Sequence, residues 1–277
     1  MNRIEGRYIS LLTDFGFMRI FGTKPNKDLL INFLNSLFEG FQVIKDVKYL
    51  NSEHVGDVFA ERKPIFDVYC ENEKGEKFIV EMQNASIFPI REHAPKGADW
   101  NFKLDHVYIV ALLNFDLEVE AFDKNDINHD VGLLDKKTHK VFNDKLSFKY
   151  VEIAKFDKTE DELVTLYDKW LYVLKNLSRL DERPAALKEK VFTKLFEEAE
   201  IAKFTPTELK EYEDSLKAYR DIKNSIDTAL EKGREEGRAE SKNLKVIQIA
   251  KKMLAAGMDI DTVINMTDLS KSEIEKL

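Results

Sequence analysis

Two carboxylates in this chain occupy positions from which they could work together. In the stretch IFDVYCENEKGEKFIVEMQ, residues 65 to 83, two strand-like runs flank Glu73, Lys74 and Gly75. A three-residue loop with glycine last suits a type I turn closed by a bulge, which makes Asn72 the partner of Glu76. Phe66 then opposes Met82, Val68 opposes Val80 and Cys70 opposes Phe78. All are apolar, so this face is predicted to pack on a core. The other face sets Ile65 by Gln83, Asp67 by Glu81 and Tyr69 by Ile79. Like charges directly across a strand pair destabilise it, so Asp67 and Glu81 call for a cation between them or a shared proton. Carboxylate oxygens suit a hard cation such as Mg²⁺ or Mn²⁺, which typically keeps waters that a substrate can replace. Such an ion could activate a water and stabilise the charge that develops on a phosphoryl group, with Gln83 orienting the water or contacting the phosphate.

The hairpin needs a sheet and covering helices to hold it. Leu11 to Phe21 and Asp28 to Phe38 read as two helical segments, with Leu29, Leu30, Phe33, Leu34, Leu37 and Phe38 on one stripe. Phe41 to Leu50 has the alternation of a strand, and His106 to Leu117 is a nearly continuous apolar run, as expected of a strand covered on both faces. Ile127 to Leu134 and Lys145 to Ile153 flank the polar stretch DKKTHKVFND and suggest a further hairpin or a pair of edge strands. From Thr159 onward the chain reads as helical. Thr159 with Glu162, Thr205 with Glu208 and Ser270 with Glu273 match the capping-box pattern. Leu209 to Arg238 is highly charged, ends in GREEGR, and reads as a solvated spacer helix; a small helical unit follows from Leu244 to Leu277.

The expected organisation is therefore an α/β core over residues 1–156, a helical region with the spacer over 157–238, and a C-terminal helical unit over 239–277. The core should hold a mixed central sheet of about four to six strands with helices on its faces. The chain has 277 residues, 43% of them hydrophobic and 34% charged, which suits a protein with a packed core. It shows neither an apolar run long enough to span a membrane nor a secretory signal, so the expected setting is the cytoplasm. The lone cysteine, Cys70, excludes intramolecular disulfides and cysteine zinc clusters and reads as a small buried hydrophobe. His54, His93, His106, His129 and His139 share no metal-ligand spacing and read as structural or surface residues. The net charge of −8 argues against a protein that coats nucleic acid. Lys136, Lys137, His139 and Lys140 form a basic stretch that reads as a solvated hairpin tip.

Several blocks together resemble the PD-(D/E)XK nuclease superfamily, and within it the Rpn family of recombination-promoting nucleases and transposase-related proteins. They are TDFGFMRIFG at 13 to 22, NKDLLINFLNSLF at 26 to 38, the hairpin at 65 to 83, and FPIREHAPKGADWNFKL at 88 to 104. The resemblance implies a restriction-endonuclease-like core, a Mg²⁺-dependent cut in DNA, and a link to recombination and mobile elements. It makes Asp14 the acidic residue from the first helix, Asp67 and Glu81 the metal ligands, and Gln83 the stand-in for the superfamily's usual lysine. Family members carry an aromatic and basic helical segment between the E-x-Q strand and the FPIRE stretch, whereas here only Asn84, Ala85, Ser86 and Ile87 intervene, so that helix is expected to be missing or short. Met18 stands where a basic residue is expected, with Arg19 directly after it.

A rival expectation is a catalytically weak nuclease-like protein that acts as an interaction module through its C-terminal helices. That unit resembles a helix-turn-helix in outline, yet its last helix, SKSEIEKL, has no Arg, Asn or Gln to read a base edge. Docking on protein, including homo-oligomer formation, is the expectation for it.

Overall fold

The computed structural model describes residues 6–50, 68–83, 106–117, 119, 122–274 and 276–277. The chain divides into two compact units, Met1–Ile222 and Lys223–Leu277.

In the first unit the alternating stretches build a six-stranded mixed sheet. Its strands are β1 (Val47–Tyr49), β2 (Val68–Asn72), β3 (Lys77–Gln83), β4 (Val107–Leu113), β5 (Asn128–Leu134) and β6 (Val141–Glu152), in the order β1-β2-β3-β4-β6-β5. β2 and β3 form the expected hairpin, with Val68 opposite Val80, Tyr69 opposite Ile79 and Cys70 opposite Phe78. Gly75 closes its turn at φ 80°, in the left-handed region that favours glycine. β3 runs parallel to β4, and β4 parallel to β6. β5 and β6 are the expected second hairpin, but β6 lies inside the sheet and only β5 is at its edge. β1 is much shorter than the strand expected over residues 41–50.

The two faces of the sheet differ. Val68, Cys70, Phe78, Val80, Met82, Tyr108, Val110 and Leu112 all belong to the main hydrophobic core. They meet α1 (Asp14–Phe21), α2 (Lys27–Leu37), α3 (Leu166–Asn176) and α4 (Lys190–Glu198), whose aromatic centre joins Phe17, Phe21, Phe33, Trp170 and Phe192. The Trp170 indole donates to Asn32 at 2.8 Å, so its one polar group is satisfied inside that core. Cys70 is fully buried, and burial pushes its thiol up to about 12, which makes it an inert apolar filler.

All three capping boxes form. Thr159 with Glu162 starts only a 3₁₀ turn, Glu160–Glu162, whereas Thr205 with Glu208 opens α5 (Pro206–Ala255). α5 is one helix of 50 residues that runs through Gly233 and Gly237, so the GREEGR stretch does not end it as expected. A Cβ at either glycine would meet open space.

In the second unit, the last part of α5 packs with α6 (Ile260–Thr267) and α7 (Lys271–Ile274). Ala250, Val263, Leu269 and Ile274 form a small core of their own. Asp259 caps α6 through Thr262, and Ser270 with Glu273 caps α7. Asp268, at φ 57°, makes the left-handed turn between these two helices.

Candidate active site at the carboxyl ends of the parallel strands

Residues directly opposite one another across paired strands share a face of the sheet, so the register locates Glu81. It aligns with Ala111 on β4, which aligns with Tyr150 on β6, which aligns with His129 on β5. This row lies on the face turned away from the main helical core, because Val80 and Met82 on either side of Glu81 belong to that core. Glu81 is nonetheless only 7% exposed, beside Ile79, also buried. One row further, Gln83 aligns with Leu113 and Leu113 with Glu152. Both rows sit toward the carboxyl ends of β3, β4 and β6, where ligands of open sheets with parallel strands ordinarily bind.

Asp67 lies outside the described residues, and so do the FPIRE stretch and the segment after Gln83 in which a helix was expected to be missing. The backbone of Gln83 ends β3, while its side chain is outside the description. Among the described residues no group of three His, Cys, Asp or Glu is placed to hold a metal.

Asp14 begins α1, exposed, with Thr13 capping the helix by accepting from the Gly16 amide. Its neighbourhood is set by α5. The Phe15 amide donates to the Ser215 hydroxyl at 3.1 Å, and one turn further along α5 the Tyr219 hydroxyl accepts from Asn114 at 2.9 Å. Asn114 directly follows β4. The start of α1 and the carboxyl end of β4 are thus tied to adjacent turns of one helix face. Arg19, the cation next to Met18, is taken up in holding α1 to the start of α5. It donates to Glu208 at 2.6 Å and to the Glu198 carbonyl at 2.9 Å, and stacks over Phe204. The Thr205 amide, the Arg19 guanidinium and the Thr205 hydroxyl hold the Glu208 carboxyl down at about 2.

A second charged cluster closes this end of the sheet, one that no local pattern of residues announces. Glu152, fully buried, accepts from His129 Nε2 at 2.7 Å and Lys155 Nζ at 2.8 Å on one oxygen, and from the Leu117 amide at 2.6 Å on the other. His129 in turn stacks on Phe122 with ring centres 4.0 Å apart. Burial pushes the Glu152 carboxyl up, but Lys155, the Leu117 amide and His129 outweigh it and hold the group below its ordinary value. The cluster pins the loop after β4 against β6, about two strand spacings, or roughly 10 Å, from Gln83. His129 is 23 residues from Glu152, and nothing joins the two until the strand order is known. His129 therefore has the structural role expected of it.

Residues 11–229 match the family described as PD-(D/E)XK nuclease family transposase, and residues 243–277 match the Rpn/YhgA-like nuclease family, C-terminal HTH domain. No curated protein matches the chain, and no solved structure does. Nucleases of the PD-(D/E)XK type typically use divalent metals, and no helix among the described residues is long and apolar enough to cross a membrane. With a mixed sheet flanked by helices and a helical C-terminal unit, the chain belongs to the PD-(D/E)XK nuclease family transposases, of the Rpn type.

Proposed function

We propose that this protein is a Mg²⁺- or Mn²⁺-dependent DNA endonuclease of the recombination-promoting type, acting in the cytoplasm, with Asp67, Glu81, Gln83 and Asp14 as its site. The observation that carries this reading is Glu81: a carboxylate 7% exposed, on the sheet face opposite the main core, near the carboxyl end of a central strand. A carboxylate in that position has little reason to be there as a solubilising group. The donors suit a hard cation, since the Glu81 and Asp67 carboxylates offer oxygen ligands only. When bound between them, the ion would supply positive charge to a phosphodiester as negative charge grows on its oxygens.

The chain's own residues have distinct tasks in this scheme. Asp67 and Glu81 would hold the ion. Gln83, one row nearer the strand ends, orients the attacking water through its amide. Asp14, at the exposed start of α1, adds a further acidic group, and the Asn114–Tyr219 contact ties the carboxyl end of β4 to α5. Plasmid nicking tests this directly: conversion of supercoiled to open circular DNA is expected in Mg²⁺ or Mn²⁺ and not in EDTA. Equal nicking in EDTA, or none with either ion, would refute it.

A second reading, that the C-terminal helices make the protein a homo-oligomer and an interaction module, is favoured by apolar side chains left exposed on the small unit. Met266 is 69% exposed, and Leu244 and Ile249 are each 53% exposed. Sedimentation of the full chain is expected to show a species heavier than 32.2 kDa that Met266→Glu returns to the monomer; a monomer at all concentrations would remove this reading.

A further inference from the structure

The net charge of −8 conceals a local concentration of the opposite sign. Arg234, Arg238, Lys242 and Lys245 border one shallow groove on α5, with Gly237 and Ser241 as its floor. Their spacing, in steps of three and four, puts all of them on a single face of the helix. Lys252, seven residues beyond Lys245, extends the line, and Glu231, one turn before Arg234, marks its other end. Arg234, Arg238, Lys242, Lys245 and Lys252 are all exposed, and none forms an ion pair among the described residues. Glu235, seven residues before Lys242, lies along the edge of this face, where the cations outnumber it, while Glu236 falls off the face and meets Lys232.

The opposite face of the same stretch is the one already in use. Val246, Ile247, Ala250, Met253 and Leu254 of α5 pack on α6 and α7 through Val263, Leu269 and Ile274. The basic line therefore points away from the small core of its own unit, toward solvent. From Arg234 to Lys252 it runs about 27 Å along the helix axis, the axial rise of about eight phosphates on one strand of a duplex. Near its start the bare backbone of Gly237 leaves open space between Arg234, Arg238 and Ser241, so a phosphate can approach the helix itself.

We infer that the C-terminal unit holds duplex DNA by its phosphate backbone, through the outward face of α5 and not through its last helix. This inference rests on the DNA-directed reading of the protein and assigns the contact a surface. The expectation of protein docking came from the last helix, and that helix does lack Arg, Asn and Gln. α7 spans only Lys271–Ile274, and its Glu273 is committed to capping Ser270. Four unpaired cations on a neighbouring face need no base contacts to bind, since the attraction is to phosphate alone. Binding of this kind is insensitive to sequence and steep in salt, and it would deliver DNA to a protein whose overall charge repels it.

The test uses the full chain in EDTA, so that cleavage plays no part, with a fluorescent 30-base-pair duplex of random sequence. The wild type is expected to lose affinity steeply as salt rises. Arg234→Ala, Arg238→Ala, Lys242→Ala and Lys245→Ala combined should weaken binding and lower the slope of log affinity against log salt by about 3 to 4, roughly one per lost phosphate contact. Alanine keeps the helix, and unchanged circular dichroism would confirm it. Lys271→Ala with Lys276→Ala should leave the slope as it was. An unchanged slope in the fourfold variant, or an equal fall in the Lys271 and Lys276 variant, would overturn the inference. So would a fourfold variant that changes only the oligomeric state. Loss of nicking with intact binding would instead strike at the nuclease reading alone.

Discussion

Glu81→Gln is expected to abolish metal-dependent nicking and to leave the protein folded. The amide has nearly the shape of the carboxylate, so the packing beside Ile79 and Ala111 is kept, while the charge that would hold a divalent ion is gone. Lewis-acid stabilisation of a phosphoryl transition state is worth several kcal/mol, and every 1.36 kcal/mol is tenfold, so the rate should fall by at least about a thousandfold. Asp67→Asn should do the same if the two carboxylates share the ion. A separate readout checks the cause. An ion bound only to the native state at a hundred times its dissociation constant stabilises by about 2.7 kcal/mol, so Mg²⁺ or Mn²⁺ should raise the wild-type Tm and leave that of Glu81→Gln unmoved. Wild-type nicking rates in purified Glu81→Gln, or a metal-induced rise in Tm equal to the wild type's, would move the site elsewhere.

The parts of this fold that were legible in the sequence are those that local pattern decides. The β2–β3 register follows from alternation and the glycine of the turn, because a slip by one residue would send Val68, Cys70, Phe78 and Val80 to the wrong face. The three capping boxes could be read because each is a local exchange of hydrogen bonds over four residues. What stayed hidden depends on strand order. Lys145 to Ile153 gave a strand but no sign that it lies between β4 and β5, and the meeting of Glu152 with His129 follows only from that placement. The length of α5 was misjudged for a different reason. Glycine costs only about 1 kcal/mol in a helix interior, too little to end one that is anchored at Ser215 and Tyr219 and again in the C-terminal core. Asn114 and Tyr219 carry no signal beyond being polar near the ends of apolar runs. Family likeness alone points to Asp14 as a site residue, and its position at the start of a helix is the one fact local chemistry supplies.

Glu152→Ala should be among the most damaging single changes to the stability of the first unit. The carboxylate is fully buried and accepts from an imidazole, an ammonium and a backbone amide at 2.6 to 2.8 Å, so its removal leaves His129 and the Leu117 amide without this acceptor and Lys155 with only the Asp126 carbonyl, at 3.4 Å. Removing one partner of a buried charge pair typically costs about 3–5 kcal/mol, against about 1 kcal/mol for an average substitution. Glu152→Gln keeps one acceptor oxygen and should cost less. The cluster also gives the loss a pH signature. Burial raises the Glu152 carboxyl, the three donors lower it further, and the folded value lies below the ordinary one of about 4.3. The contribution is therefore fully present above that unfolded value and is lost as pH falls through the depressed folded value. Urea unfolding at neutral pH and at successive steps down from about pH 5 should show the wild type weakening across that window, with the Glu152→Gln curve flatter. A cost below about 1 kcal/mol for Glu152→Ala at neutral pH, or acid profiles that coincide for wild type and Glu152→Gln, would show that the cluster does not hold this end of the sheet together.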